Sequence, residues 1–270
     1  MTRAHSYLCS LLILLFTATA CRADVNDAPA PPGYLLHLPG IAGARSIDHS
    51  VVRGIRDGGF SGEIEIYDWT ENDPGMHALL AYDRNHQEAR HVADMLVQQR
   101  SAHPNVPIVL MGHSGGTGIA VWALEDLPDN VQIDTLVLMS SALSPDYDLS
   151  KALRHVKGRL YAFSSLADII VLSTGTKLFG TIDGHKVEAA GRVGFTAPSG
   201  ADAGQYKKLV ALPYDPSWLK WGDRGDHIGG MTRSFGLNVL APLILHGTMP
   251  EVSMPTTAET PTGLGRELPR

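Results

Sequence analysis

Cysteine is scarce in this sequence, with only Cys9 and Cys21 in 270 residues. Two thiols cannot build a disulfide-rich scaffold or a multi-cysteine zinc module. Basic residues are few and scattered: 22 Lys and Arg against 28 Asp and Glu give a net charge of −6. A protein that grips nucleic acid through its phosphates needs a concentrated basic face, so that class of partner is excluded. Long hydrophobic runs are missing too. The most apolar stretch, Tyr7 to Cys21, is too short and too interrupted to cross a bilayer. Hydrophobic residues nevertheless make up 44% of the chain, enough to bury one core within the range of a single α/β domain.

The two ends read differently from the middle. Arg3, the apolar run Leu8–Phe16 and the small residues Thr17-Ala18-Thr19-Ala20 form the three parts of a secretory signal peptide, residues 1–20. Cleavage after Ala20 leaves Cys21 at the new N-terminus; cleavage after Ala23 leaves no cysteine. Ala18-Thr19-Ala20-Cys21 resembles a bacterial lipoprotein box, so a lipid on Cys21 and soluble secretion both remain open. Residues 21–32, with Ala28-Pro29-Ala30-Pro31-Pro32, read as a stiff linker. Residues 248–270 hold five Thr and four Pro among few large apolar residues, and are expected to be a disordered tail. The folded domain is expected at 33–247.

Within that body, apolar runs alternate with amphipathic stretches. Strands are expected at 34–38, 63–67, 106–111, 135–139, 159–164 and 208–212. Helices are expected at 48–56, 78–99, 115–126, 149–156 and 228–246. In the helix 78–99, Leu80, Val92, Met95 and Leu96 should form the apolar side, and Arg84, Glu88 and Arg90 should face water. Val106–Met111 is a continuous apolar run, as in a parallel strand covered on both faces. The fold class is therefore α/β, a mostly parallel sheet with helices on both faces and no large cap domain.

The most informative stretch is Gly112-His113-Ser114-Gly115-Gly116, a Gly-x-Ser-x-Gly motif between a buried strand and a helix. In that context glycines let the chain fold back sharply, and the serine hydroxyl is lifted clear of the sheet. On these residues the chain resembles the α/β-hydrolase superfamily, over about residues 33–247. Tyr67-Asp68-Trp69, Tyr82-Asp83-Arg84 and Gly191-Arg192-Val193-Gly194 are similar to a bacterial group of that superfamily without assigned substrates.

The resemblance implies a serine nucleophile, an acid and a histidine, in that chain order. Ser114 is the nucleophile candidate. His227, in the loop Gly225-Asp226-His227-Ile228-Gly229, is the base candidate ahead of His155, His185 and His246. Asp168, a few residues beyond the strand 159–164, is the acid candidate; Asp146 is its main rival, and Asp226, Asp183 and Asp202 are weaker. The oxyanion donors implied are the N–H of Gly115 and, from the loop Pro39-Gly40-Ile41-Ala42-Gly43, that of Ile41, with Gly40 or Ala42 one residue away.

No cofactor is implied. The spacing supplies no metal constellation, since His86 and His91 do not share a helix face and the acidic residues lack a calcium-loop pattern. Trp69 and Trp122 could line a pocket or belong to the core. The segment 172–203 could be a lid or a passive loop. The activity implied is hydrolysis of a small-molecule carboxylic ester through an acyl-enzyme. Thioesters, amides and acyl transfer would use the same parts, and a non-catalytic binding protein of the cell envelope is the alternative from another class.

Overall fold

The computed structural model describes residues 32–71, 73–168 and 180–249. The export signal, the linker up to residue 31, residues 169–179 (which include 172–179 of the lid candidate), and the tail from 250 lie outside the described residues.

Six strands form one fully parallel sheet: β1 (Tyr34–Leu38), β2 (Glu63–Ile66), β3 (Ile108–His113), β4 (Ile133–Met139), β5 (Val156–Ser164) and β6 (Leu209–Pro213). Their order is β2-β1-β3-β4-β5-β6, with Leu36 paired to Leu110, Leu110 to Leu136 and Leu136 to Leu160. A parallel strand alternates its side chains between two faces, so a sheet with two buried faces demands apolar residues at consecutive positions. Leu36, Leu110, Leu136 and Leu160 fill one face against Val92 and Leu96 of α3 (Tyr82–Ala102) and Ile119 of α4 (Gly116–Glu125). Leu35, Val109, Val137 and Tyr161 fill the other, against Val51 and Ile55 of α1 (Ser46–Asp57) and the C-terminal Phe235, Val239 and Leu243. The predicted α/β class is the observed one.

Two helices differ from expectation. The stretch predicted as one helix over 78–99 is two, α2 (Met76–Leu80) and α3, parted at Ala81 with ψ of 63°. Leu80 therefore leaves the apolar stripe and is 57% exposed. Glu88 does not face water: it is 7% exposed and accepts a hydrogen bond from Tyr67 Oη at 2.5 Å. A polar partner from the end of β2 outweighs its polarity, a contact that helical periodicity cannot foresee.

The helix expected at 228–246 begins only at Arg233 and is irregular. One α-turn, α5 (Arg233–Phe235), passes into a π-turn over Gly236–Leu240 and then into a last helix, α6 (Ala241–His246). Pro242 has no N–H and its ring crowds the carbonyl four residues earlier; widening the turn ahead of it relieves that clash.

Candidate active site

Every strand points the same way, so the loops after β1, β3, β5 and β6 meet at the carboxyl edge of the sheet. Ser114 is the first residue past β3. Its φ is +52°, a left-handed conformation that costs a non-glycine residue about 1–3 kcal/mol. The surrounding main chain enforces it: Ser114 N–H donates to Met139 of β4 at 2.9 Å, and its carbonyl accepts from Thr117 N and Oγ1 at 3.0 and 2.6 Å. The motif glycines are required by contact. A Cβ on Gly112 would lie 2.7 Å from the Gly116 carbonyl, and one on Gly116 would collide with the carbonyls of Leu38 and Pro39.

The structure brings the three expected side chains together across 113 residues of sequence. His227 Nε2 lies 2.9 Å from Ser114 Oγ, and His227 Nδ1 lies 2.8 Å from Asp168 Oδ1. Asp168, four residues past β5, is buried, and its N–H donates to Ser165 in a tight turn. The His227 side chain is 18% exposed, on a loop between a 3-10 turn over Pro216–Trp221 and another over Gly229–Met231. A carboxylate accepting from Nδ1–H fixes the tautomer in which Nε2 is free to accept from a hydroxyl.

The rival residues lie elsewhere. Asp146 is exposed beside a cavity of about 480 Å³ that it lines with Trp122, Glu125 and Tyr147. Asp183 accepts from Ser144, Asp202 caps the short helix Ala203–Tyr206, and Asp226 accepts from the N–H of Ile228. The buried His155 bonds the Val131 carbonyl through Nδ1, His185 contacts Asp183, and His246 ends α6.

The loop after β1 is held along its length. Gly43 N–H donates to Gly40, Gly75 N–H to Ile41 at 2.6 Å, Ala44 N–H to Asp68 and Arg45 N–H to Asp48. Gly115 sits so close to Ile41 that a Cβ on it would lie 2.6 Å from Ile41 Cγ2. Among the described residues, the N–H groups of Ile41 and Gly115 have no hydrogen-bond partner.

Sequence reasoning gave no part to His37, Asp48 or His113. His37 Nε2 lies 2.7 Å from Asp48 Oδ1 with both side chains buried. Burial opposes ionisation of Asp48, but the hydrogen bond and charge of His37 hold its carboxyl below the ordinary value. Trp69 proves to be core rather than pocket lining, fully buried against Gly115. Trp122 is buried yet borders the cavity beside Asp146. Part of the lid candidate is anchored: Ile182, Ala190 and Gly191 donate main-chain hydrogen bonds to Ala142, Leu143 and Ser141. The signal for His37 and His113 was only a histidine near the end of a buried strand, and Asp48 within α1 carried none.

A parallel sheet with polar side chains gathered at the carboxyl ends of its strands is an α/β architecture of the kind that binds ligands at that edge. The family model of the alpha/beta hydrolase fold matches residues 38–191, and the chain belongs to that family. No curated protein sequence matches the chain. Solved structures similar to it include a cutinase-like protein from Cryptococcus sp., at 13% identity and TM-score 0.42, covering 81% of this chain and 97% of that one. The esterase domain of a Rhodothermus marinus protein matches at 14% identity and TM-score 0.40, over 79% of this chain and 86% of its own. The NocB thioesterase domain from the nocardicin cluster matches at 14% identity and TM-score 0.44, over 81% and 96%.

Proposed function

We propose that this member of the alpha/beta hydrolase family is an exported serine hydrolase that cleaves a small-molecule carboxylic ester through an acyl-enzyme. The observation that carries the reading is the chain of contacts Ser114 Oγ–His227 Nε2–Asp168 Oδ1, at 2.9 and 2.8 Å. A serine hydroxyl is a weak nucleophile unless a neighbouring base takes its proton as it attacks. His227 takes that proton; Ser114 Oγ bonds to the carbonyl carbon; Asp168 stabilises the imidazolium and keeps its orientation. The oxyanion accepts from the N–H groups of Gly115 and Ile41, which have no other partner among the described residues. Collapse of the adduct expels the alcohol, protonated by His227, and water then repeats the sequence to release the acid.

A non-catalytic envelope protein would have no need of a strained serine within hydrogen-bond reach of a histidine held by a buried carboxylate. Export rests on the residue pattern of 1–20, and attachment through a lipid on Cys21 on the box Ala18–Cys21. The direct test is fluorophosphonate labelling of the mature protein with peptide mapping, alongside Ser114→Ala. One adduct on Ser114, lost in the variant, is expected; no adduct on folded protein would overturn the proposal. An intact-mass spectrum of the same sample reports the mature N-terminus and any lipid on Cys21.

A further inference from the structure

The Gly-x-Ser-x-Gly motif leaves its second position open, and the mechanism above uses nothing there. In this chain the position is His113, and it is 4% exposed. Its Nε2 lies 3.0 Å from the main-chain carbonyl oxygen of His227, and the two rings are 5.2 Å apart. A carbonyl can only accept, so Nε2 must carry a hydrogen. Burial and the facing His227 push the His113 pKa down to about 4, which leaves the ring neutral and Nδ1 bare. The other titratable groups acting on it are His37 of β1 and Asp48 of α1, already paired with each other.

We propose that His113 is a positioning residue whose Nε2–H holds the main chain of His227, so that its imidazole stays aimed at Ser114 Oγ. The inference rests on the reading of Ser114 and His227 as nucleophile and base. Asp168 orients the ring but does not fix the loop that carries it. Within 226–230, the remaining main-chain hydrogen bonds among the described residues stay in the loop, from Gly229 to Asp226, Ile228 to the Asp226 side chain, and Met231 to Ile228. Among the described residues, the His113 contact is the hydrogen bond that ties this main chain to the sheet. Its placement matters because residue 113 is bonded directly to residue 114. One strand end therefore carries the nucleophile and the group that anchors the base, so any movement of that strand end shifts both together. The loop after β1 closes on the same ring: a Cβ on Gly40 would lie 3.4 Å from His113 Nδ1 and 3.2 Å from Ser114 Cβ.

The test compares the full-length protein with His113→Phe, which keeps a flat ring without a donor, and His113→Gln, whose amide nitrogen lies as many bonds from Cβ as Nε2 does. Each is reacted with a fluorophosphonate, assayed on p-nitrophenyl butyrate over a pH range, and melted. A misplacement of ~1 Å can cost ~10²-fold, so kcat of His113→Phe should fall about 10- to 100-fold with KM nearly unchanged. His113→Gln should recover most of that loss, and the acid limb of kcat/KM should stay where it is. Equal loss in both variants, or loss in neither, overturns the proposal. Nitrogen NMR of the histidines in the unmodified protein decides the matter even if His113→Phe fails to fold. Hydrogen on Nε2 of His113 at neutral pH is expected, and hydrogen on Nδ1 overturns it. If the unmodified protein does not react with the fluorophosphonate, the reading of Ser114 falls first and this inference with it.

Discussion

The indole N–H of Trp69 donates to the carbonyl of Pro39 at 2.7 Å. This bond ties the segment after β2 to the loop after β1, and Trp69 is fully buried where it does so. The same ring packs beside Gly115, since a Cβ there would lie 3.1 Å from Trp69 Cζ2. One side chain thus supports both strand ends from which the proposed oxyanion donors, Ile41 and Gly115, project.

Trp69→Phe keeps an aromatic ring and removes the donor, leaving a buried carbonyl without its partner. That should cost about 1–3 kcal/mol of stability in urea unfolding. It should also lower kcat by about tenfold or more, short of the ~10²–10³ expected for outright removal of an oxyanion donor, with little change in KM. An unchanged kcat on a p-nitrophenyl ester would show that the loop keeps its place without the indole.

The acid assignment separates two aspartates that the sequence leaves in competition. Asp168 bonds His227 Nδ1 at 2.8 Å, whereas Asp146 is exposed beside Trp122 and Glu125. An amide at position 168 can present N–H to Nδ1 and force the wrong tautomer, so Asp168→Asn should lower kcat by about 10⁴-fold, the loss that this change brings in a Ser-His-Asp triad. Asp146→Asn should stay within about twofold of the unmodified enzyme. Reversal of the two results in steady-state assays would move the acid to Asp146.

The strand pattern was legible because a doubly covered parallel sheet writes apolar runs into the sequence, as Val106–Met111 does ahead of the motif. Ser114, Asp168 and His227 could be nominated because each follows a strand or precedes a helix at a place a resemblance marks. Partners set by tertiary contact were not legible. Glu88 looks like a solvent residue until Tyr67 is seen to reach it, and His113 looks like filler until the His227 loop lies over it. The break at Ala81 escaped notice for a different reason: no proline or glycine marks it, and only the fold requires the turn there.

The close packing around Ser114 gives a stability prediction independent of catalysis. In Gly116→Ala the new methyl would meet the main-chain carbonyls of Leu38 and Pro39, neither of which can swing aside as a side chain can. Either α4 or the loop after β1 must shift. The substitution should cost about 1–3 kcal/mol or more, even though alanine is the better helix former. Urea unfolding measures it, and a stabilised variant would show that this contact is looser than the structure has it.

Glu125 supplies a pH dependence whose sign can be fixed in advance. Burial raises its carboxyl from 4.5 to about 7, although the Tyr147 hydroxyl, 3.1 Å from each oxygen, favours the ionised form. A folded-state pKa above the unfolded one means that the native protein binds this proton more tightly. The favourable contribution is then complete below the unfolded value of 4.5 and is lost as pH rises through about 7. Glutamine at this position is neutral at every pH and can still accept from Tyr147. Glu125→Gln should therefore match the unmodified protein in acid, and exceed it by about 1–3 kcal/mol in mildly alkaline solution. Because other groups titrate equally in both proteins, the difference between their urea midpoints isolates this carboxyl. A difference that stays constant with pH would show that folding does not shift the Glu125 carboxyl.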